Sequence, residues 1–282
     1  MNGLWQRRRE GLITLLLLSP GLAGFFSLFF YPMLLTVILS FRPEGQKVGW
    51  TLAHYARFLG DPAFRDVLGL TFSLAVGATV FSVLLSLPLA LVLREKPKGN
   101  RLLRLSILLP MMMPHLISAL GLLLFWSKRG WANLFLLSIL PFLKEPVAVN
   151  YTIPGLILFY VWLFYPYTCL TTLASLEALD RSIEEAAEVA GANRLRVLWH
   201  VVLPLIRPGV LAGSVLTFMM AFGAFSVPLV TGGNYRPLSV QIFTQATLYL
   251  EWSAASAMAV VMAMAQVTFL TVYMRVLRRP IA

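Results

Sequence analysis

Six long runs of apolar residues alternate along the chain with short polar segments. They lie at about residues 12–41, 66–93, 102–126, 151–179, 208–231 and 253–277. Each run exceeds the roughly 20 residues that an α-helix needs to cross a bilayer. The pattern therefore predicts an all-α integral membrane protein with six transmembrane helices. A further stretch from Leu134 to Leu143, within the segment 131–148, is too short to span and contains Pro141, so we expect it to be interfacial or re-entrant.

The first run follows three arginines at positions 7–9, as the core of a secretory signal peptide does. Its apolar part is about twice as long as the usual core of 7–15 residues, and no convincing cleavage site follows it. We therefore interpret it as a retained anchor, and we expect Pro20 and Pro32 to kink its helix. On this interpretation, residues 1–65 form an N-terminal segment with one transmembrane helix and an outer loop, and residues 66–282 form a five-helix core.

The composition agrees with a membrane protein. Apolar residues make up 59% of the 282-residue chain and charged residues 12%, and the mean hydropathy is +0.78. A soluble domain carries roughly 25% charged residues, so this chain has too few to cover a surface that faces water. Cys169 is the single cysteine, which excludes a disulfide framework. The apolar surface is therefore expected to face lipid.

The basic residues indicate which side of the membrane each loop occupies. The chain has 23 basic and 12 acidic residues and a net charge of +11. If both termini are cytoplasmic, 15 of the 23 basic residues fall on the cytoplasmic side and 8 on the outer side. This bias follows the positive-inside rule and predicts a multi-pass protein with both termini in the cytoplasm. Because the charges are spread over several loops, no nucleic-acid partner is expected.

Every acidic residue lies in a loop or at the edge of an apolar run. Transporters driven by protons or sodium usually place acids inside the membrane, so this distribution counts against a secondary transporter, the first alternative. A membrane-embedded enzyme, the second alternative, needs a constellation of His, Asp or Glu at the interface. The three histidines, His54, His115 and His200, fall on different elements and give no metal-ligand spacing. We expect His115, inside the third run, to bond a neighbouring helix.

The segment between the fourth and fifth runs, from Leu179 to Val210, is unusually polar and reads LDRSIEEAAEVAGANRLRVLWHVVLPLIRPGV. Ser182 and Glu185 have the spacing of a capping box, which predicts a helix that begins at Ile183. Small apolar side chains define one face of this helix: Ile183, Ala186, Ala187 and Ala190. Such a face allows close approach to a partner, although an amphipathic connector lying on the headgroups would show a similar pattern.

Polar and helix-breaking residues divide the rest of this segment. Gly191 suits the position after the last turn of the first helix, and Asn193 can cap a second short helix. The apolar face of that second helix would consist of Leu195, Leu198 and Val202. Pro204 and Pro208 mark the beginning of the fifth transmembrane helix. The loop at 180–207 is therefore predicted to be a helix, a glycine bend and a second helix lying across the cytoplasmic face.

The spacing within this loop resembles the signature of the membrane subunits of bacterial type I ABC importers. That signature is E-A-A, three residues, Gly, nine residues and then I-x-L-P. Here Glu185-Ala186-Ala187 is followed after three residues by Gly191, and nine more lead to Val201-Val202-Leu203-Pro204. The only departure is Val201, which stands where the family has Ile. The resemblance extends over about residues 66–277 and places the chain in the bacterial inner membrane.

The resemblance implies that the loop is a pair of coupling helices, which docks into a cleft on a separate ATPase subunit. The residues that would form or support this contact are Glu185, Ala186, Ala187, Gly191, Leu203 and Pro204. By analogy, the acid would face a basic group of the ATPase, the alanines would line the contact and the glycine would permit the turn. The last two residues would fix the loop to the fifth helix.

The resemblance also implies several partners: two ATPase subunits, a second permease subunit of the same or a different sequence, an extracytoplasmic solute-binding protein and membrane lipid. The chain has no G-x-x-x-x-G-K-[ST] phosphate loop, and the glycine-rich stretch Thr231–Asn234 is expected to be an external turn. We therefore expect a non-catalytic subunit without a cofactor, with ATP and magnesium on the ATPase subunits. The outer loops at about 42–65 and 127–150 could contact the binding protein.

Three phenylalanines of the fifth run, Phe218, Phe222 and Phe225, are spaced to share one helical face. Such a stripe is typical of packing and also suits a gate, so with His115 these residues are the candidates for the solute path. The region most resembles importers of polyamines, 2-aminoethylphosphonate, ferric iron or thiamine. The path carries no charged residue, so the sequence does not indicate the charge of the solute.

Overall fold

The computed structural model describes residues 14, 16–45 and 48–277, and the arginines at positions 7–9 lie outside that part. The helices are α1 (Leu16–Ser40), α2 (Ala53–Gly60), α3 (Pro62–Arg94), α4 (Asn100–Met112), α5 (His115–Phe125), α6 (Trp131–Ile139), α7 (Ile153–Glu177), α8 (Arg181–Val189), α9 (Arg194–Phe222), α10 (Ser226–Thr231), α11 (Leu238–Thr247) and α12 (Trp252–Leu277). No strand occurs among the described residues, and the predicted all-α fold is confirmed.

Five helices, α1, α3, α7, α9 and α12, are long and apolar enough to cross a membrane. They correspond to five of the six predicted runs. The third run forms α4 and α5, which meet at a bend of 110°, so the structure contains up to six spans if this pair counts as one. The short helices α2, α6, α10 and α11 were not predicted, because each has too few residues for its period to stand out among the neighbouring apolar positions.

The bend in the third run corrects the prediction of one continuous helix over 102–126. Met113 has an extended backbone, with φ −89° and ψ 136°, and Pro114 follows it. A residue that precedes proline is disfavoured in the helical region, so α4 ends there and α5 begins in a new direction. His115 is the first residue of α5 and lies at the bend, not inside a continuous helix as predicted.

The first span continues through both of its prolines. A wide π-helical turn at Phe26–Phe30 directly precedes Pro32, and the α-helical part resumes at Tyr31. A wide turn accommodates a proline because it rearranges the backbone hydrogen bonds around the missing N–H group. No residue in the most apolar 18-residue stretch of α1 is buried against the rest of the chain. The side chains of this stretch are therefore available to lipid or to another subunit.

The described residues form two compact units. One comprises residues within Met1–Asp61 and Ile242–Ala265, and the other those within Pro62–Gln241 and Gln266–Ala282. The division of the chain into segments 1–65 and 66–282 stays a prediction.

In the first unit, the carboxylate of Glu44 caps the last span. It accepts hydrogen bonds from the backbone N–H groups of Ser253 and Ala254, both at 3.1 Å. These N–H groups belong to the first turn of α12 and have no partner within the helix. The negative charge also interacts favourably with the positive end of the helix dipole. Glu44 therefore ties the loop after α1 to the start of α12.

At the centre of the second unit, α7 packs against both α3 and α9. The hydroxyls of Thr168 and Thr217 lie 2.8 Å apart across the α7–α9 interface, and that of Thr217 also donates to the carbonyl of Phe164 at 3.1 Å. On the other side, the hydroxyl of Ser86 in α3 donates to the carbonyl of Tyr165 at 3.1 Å. Small polar residues of this kind join helices in membranes, where apolar burial gives little driving force between them.

Two glycines bring the backbone of α9 close to α7. A Cβ atom at Gly209 would lie 1.8 Å from the hydroxyl oxygen of Ser175, and one at Gly213 would lie 2.1 Å from that of Thr171 and 2.6 Å from the Cα atom of Thr168. Real Cβ atoms do not approach other atoms so closely, so these positions admit only glycine without a shift of the helices. The two spans are therefore packed backbone to backbone along this stretch.

Replacing Gly213 with alanine should destabilise the protein by about 2 kcal/mol or more, because the added methyl group meets helix backbone that cannot move aside cheaply. Thermal unfolding of the detergent-solubilised protein would measure this. Gly69→Ala is the matched control: Gly69 is also a helical glycine of a span, but a Cβ there meets nothing within 4 Å. Equal melting temperatures for the two variants would contradict the close packing.

Candidate coupling site

The segment that follows α7 folds as a polar elbow, which we define as Asp180–Val202. Its first arm is α8, and its second arm is the beginning of α9 at Arg194. Gly191 joins the arms with φ at +92°, a left-handed conformation that glycine adopts without strain. The side chain of Asn193 caps the second arm by accepting a hydrogen bond from the N–H of Arg196 at 2.8 Å. The predicted helix, glycine bend and Asn193 cap are confirmed in the structure.

The residue that caps α8 differs from the prediction. The helix begins at Arg181, and its cap is Asp180, whose carboxylate accepts a hydrogen bond from the N–H of Ser182 at 3.0 Å. The predicted capping box of Ser182 and Glu185 is therefore wrong. Aspartate caps at least as well as serine and adds a charge that the helix dipole favours. The bonds from the backbone and the hydroxyl of Ser182 hold the pKa of Asp180 below its ordinary value.

The second arm continues into the membrane without interruption. The helix runs from Arg194 to Phe222, whereas the prediction had a short helix followed by a span that begins near Pro208. A π-helical turn at Leu198–Val202 precedes Pro204, and the N–H of Leu203 bonds the carbonyl of Leu198 across it. This turn accommodates the proline inside the helix, which sequence periodicity alone did not indicate.

The inner face of the elbow packs on an apolar cluster of its own chain. Val197 and Val202 are buried there beside Leu93 of α3, Ile107 of α4 and Leu176 of α7. Four partly buried residues of the elbow and the adjoining helix add to the cluster: Ala187, Ala192, Leu198 and Leu203. Pro204, by contrast, is exposed. The second arm is therefore firmly seated on the ends of three helices.

The outer face of the elbow is apolar and exposed. Val189 is 89% exposed, Leu195 68% and Trp199 61%, and Ile183 and Ala186 lie uncovered as well. Ala186 and Ala187 thus have different surroundings, since Ala187 is half-buried against the chain's own cluster. Most of the predicted face of α8 is therefore exposed, and its edge at Ala187 is half-buried against the chain's own cluster.

Arg94, the last residue of α3, reaches the first arm of the elbow. One nitrogen of its guanidinium lies 2.5 Å from Glu184, and another donates to the carbonyl oxygen of Leu179 at 3.2 Å. Only 8% of the residue is exposed. Sequence reasoning counted Arg94 among the loop charges and missed this contact, since nothing local relates residues that are 90 positions apart.

Two further ion pairs lie on the same side of the protein. Arg181 pairs with Glu95 at 3.1 Å and Arg104 with Glu177 at 2.5 Å, and all four side chains are largely exposed. A groove of about 440 Å³ beside them is lined by both arms of the elbow. Its charged lining residues are Arg94, Glu95, Arg181, Glu184, Glu185, Glu188 and Arg194. Glu185 and Glu188 are exposed, and neither has an ion pair among the described residues.

The candidate gate residues do not form one stripe. Phe218 and Phe222 neighbour each other on α9, but the helix ends at Phe222, and Phe225 follows the break at the start of α10. The prediction that all three share a helical face is therefore wrong. Phe218 is buried and stacks on Phe269 of α12 with ring centroids 3.6 Å apart. The ring of His115 lies edge-on to that of Phe164.

The glycine-rich stretch after α10 forms a turn, as predicted. Gly233 has φ at +58°, and Gly232 is so enclosed that a Cβ atom there would lie 2.4 Å from the carbonyl oxygen of Pro228. The residues between Thr231 and Asn234 follow a helix and contain no strand, which is not the setting of a phosphate loop.

Comparisons with known proteins agree with this architecture. The chain is 30% identical over 264 residues to the spermidine/putrescine transport system permease protein PotB of Escherichia coli, covering 91% of this chain and 95% of that one. It is 28% identical over 204 residues to the molybdenum transport system permease protein ModB of Mycobacterium bovis, covering 71% and 74%. Among solved structures, a bacterial ABC transporter that imports alginate matches with a TM-score of 0.81 at 18% identity, over 99% of both chains.

A family profile locates the shared region. The profile described as "Binding-protein-dependent transport system inner membrane component" matches residues 82–281, which include α7, the elbow and the last span. The chain belongs to this family and is a multi-pass permease subunit of an ABC importer in the inner membrane.

Proposed function

We propose that the elbow is the surface through which this permease subunit is coupled to a separate ATPase subunit. The observation that carries the proposal is the exposed apolar face of Ile183, Val189, Leu195 and Trp199 on a segment that is otherwise highly charged. Apolar side chains between exposed charges cannot enter lipid without desolvating those charges. A protein cleft can cover the apolar face and leave the charges paired or in water.

The charges of α8 favour a protein partner over a lipid surface. Helices that lie on membranes usually carry Lys and Arg on the polar face, because the headgroups are anionic. Here α8 carries three glutamates, Glu184, Glu185 and Glu188, against a single arginine. Glu184 forms an ion pair with Arg94, so Glu185 and Glu188 remain available to pair with a basic group of the partner. This division supports the role expected for Glu185 and adds Glu188 to it.

The proposed mechanism moves the elbow as a rigid body. ATP and magnesium would be held by two partner ATPase subunits, and their closure would displace the elbow together with the helix ends on which its second arm is seated. Packed helices switch between discrete arrangements, so the permease would alternate between inward-facing and outward-facing states. Gly191 would set the angle between the two arms, and Leu203 would connect the second arm to the cluster beneath it.

The remaining partners follow from the architecture of the family. A second permease subunit, identical or different, would enclose the solute path with this one, and a soluble binding protein would deliver the solute to the outer face. Both termini would be cytoplasmic, since Arg94, Lys96, Arg104 and Arg181 gather at the end of the bundle that carries the elbow. The segment 131–148, which contains α6, and the loop at 42–65 would face outward.

We propose a polyamine as the transported solute. The support is the similarity over 91% of this chain to permease proteins of spermidine and putrescine transport systems. The molybdenum permease, which is similar over a shorter stretch, makes an oxyanion the competing candidate.

If the elbow docks on the ATPase, both Glu185→Ala and Val189→Asp should weaken its binding, because one removes a carboxylate and the other places a charge in the apolar contact. We expect the amount of ATPase that co-purifies with the permease to fall at least fivefold. Glu177→Ala is the control, since it removes an exposed cytoplasmic glutamate outside the elbow. Unchanged co-purification of both elbow variants would refute the docking proposal.

Gly191 offers a conformational test. A β-branched residue resists the left-handed region, so Gly191→Val should cost about 1–2 kcal/mol and lower the apparent affinity for the ATPase about tenfold. Gly191→Asn should bind almost normally, because asparagine tolerates this conformation. A Cβ at this position meets nothing within 4 Å, so crowding would not explain a difference. Equal affinities of the two variants would show that the bend angle is unimportant.

The solute is tested by uptake. Proteoliposomes that contain the assembled importer and its binding protein should accumulate labelled spermidine or putrescine when ATP is supplied on the side of the ATPase subunits. Unlabelled polyamine should compete with this uptake. Molybdate should neither compete nor accumulate. Accumulation of molybdate without polyamine uptake would reverse the assignment.

A further inference from the structure

The attachment of α8 to the rest of its chain depends on few contacts. No residue of α8 is buried, and Ala187 is its only member in the apolar cluster, with a single methyl group to contribute. The second arm, in contrast, places Val197 and Val202 inside that cluster. The apolar contacts of the second arm are therefore much more extensive than those of α8.

The contact that holds α8 in place is electrostatic. The Arg94 side chain is 7% exposed and Glu184 is 26% exposed, with 2.5 Å between their charged atoms. The same guanidinium also bonds the carbonyl of Leu179, the residue that precedes the cap of α8. One ion pair and one hydrogen bond from a single buried side chain thus hold both the start of the helix and its first turn.

The Arg94–Glu184 pair is less exposed to solvent than the other ion pairs near the elbow. The Arg104–Glu177 pair has the same distance, but its side chains are 41% and 42% exposed. Water and salt screen exposed ion pairs, so such pairs contribute little to stability. A buried arginine that loses its partner is left as an uncompensated charge, so breaking the Arg94–Glu184 contact would cost much more free energy.

We infer that Arg94 is a positioning residue for energy coupling: it transmits the displacement of α8 to α3 through its ion pair with Glu184. The inference rests on the proposed docking of the elbow. Movement of α8 by a partner would pull on the end of α3 through the guanidinium, and movement of α9 would be carried separately by the apolar cluster. Without the pair, α8 could move while α3 stayed behind.

The test uses the complete importer in proteoliposomes with its binding protein. The quantity measured is the ratio of solute accumulated to ATP hydrolysed. Arg94→Met and Glu184→Met should each lower this ratio about fivefold or more, since each removes the connection between the two helices. The double variant Arg94→Met with Glu184→Met should lose no more than the poorer single variant, because both changes remove the same interaction.

The double variant also separates coupling from folding. Replacing both members of this ion pair with apolar residues leaves no uncompensated charge on the buried arginine position, so this variant should assemble and retain its melting temperature. A purely structural role for Arg94 would then predict a normal ratio of transport to hydrolysis in the double variant, and that result would overturn the inference. Additive losses in the single and double variants would overturn it too.

The control is the exposed pair, changed as Arg104→Met with Glu177→Met, which should leave the ratio unchanged. Assembly distinguishes a failure of docking from a failure of the Arg94 connection. If the unaltered permease failed to bind an ATPase through the elbow, the proposed function would fail. If it bound and transported normally, and the Arg94 variants kept the normal ratio, the inference alone would fail.

Discussion

An arginine cannot remain unpaired among apolar side chains, and at the end of α3 this constraint ties the elbow to the helix bundle. Arg94 follows Leu93 of the apolar cluster and is 8% exposed. Its charge is paired with Glu184, and it also donates a hydrogen bond to the carbonyl of Leu179. The first arm of the elbow has no buried residue of its own, so its position follows from where the guanidinium lies. The outer face of α8 is then presented in one orientation, which is the condition for recognition by a partner.

Below the elbow, the bundle is held by close contact between helix backbones. Gly209 and Gly213 let α9 approach α7, and the Thr168–Thr217 hydrogen bond joins the helices at the same level. Lipid offers no apolar driving force for this association, so van der Waals contact and hydrogen bonds must supply it. The result is a pair of spans that resist separation, and the charged elbow connects one to the other.

The apolar runs were sufficient to locate five of the six predicted spans as continuous long helices, because a span must be apolar whatever surrounds it. The glycine bend and the Asn193 cap were predictable for a similar reason, as both depend on local chemistry. The break at Pro114 and the continuation of α9 through Pro204 were not, since proline can end a helix or be accommodated by a wide turn. The contact of Arg94 depends on tertiary structure and left no trace in the spacing of residues.

The uninterrupted course of α9 has a mechanical consequence. A helix of 29 residues from Arg194 to Phe222 is about 43 Å long, well beyond the roughly 30 Å of the hydrocarbon layer. No residue before Gly223 leaves the helical conformation, although the π-helical turn at Leu198–Val202 and the two prolines after it are the points at which the helix can bend. A tilt of the whole helix by about 10° about its Arg194 end would carry the Phe222 end through about 7.5 Å, comparable to the width of a small solute.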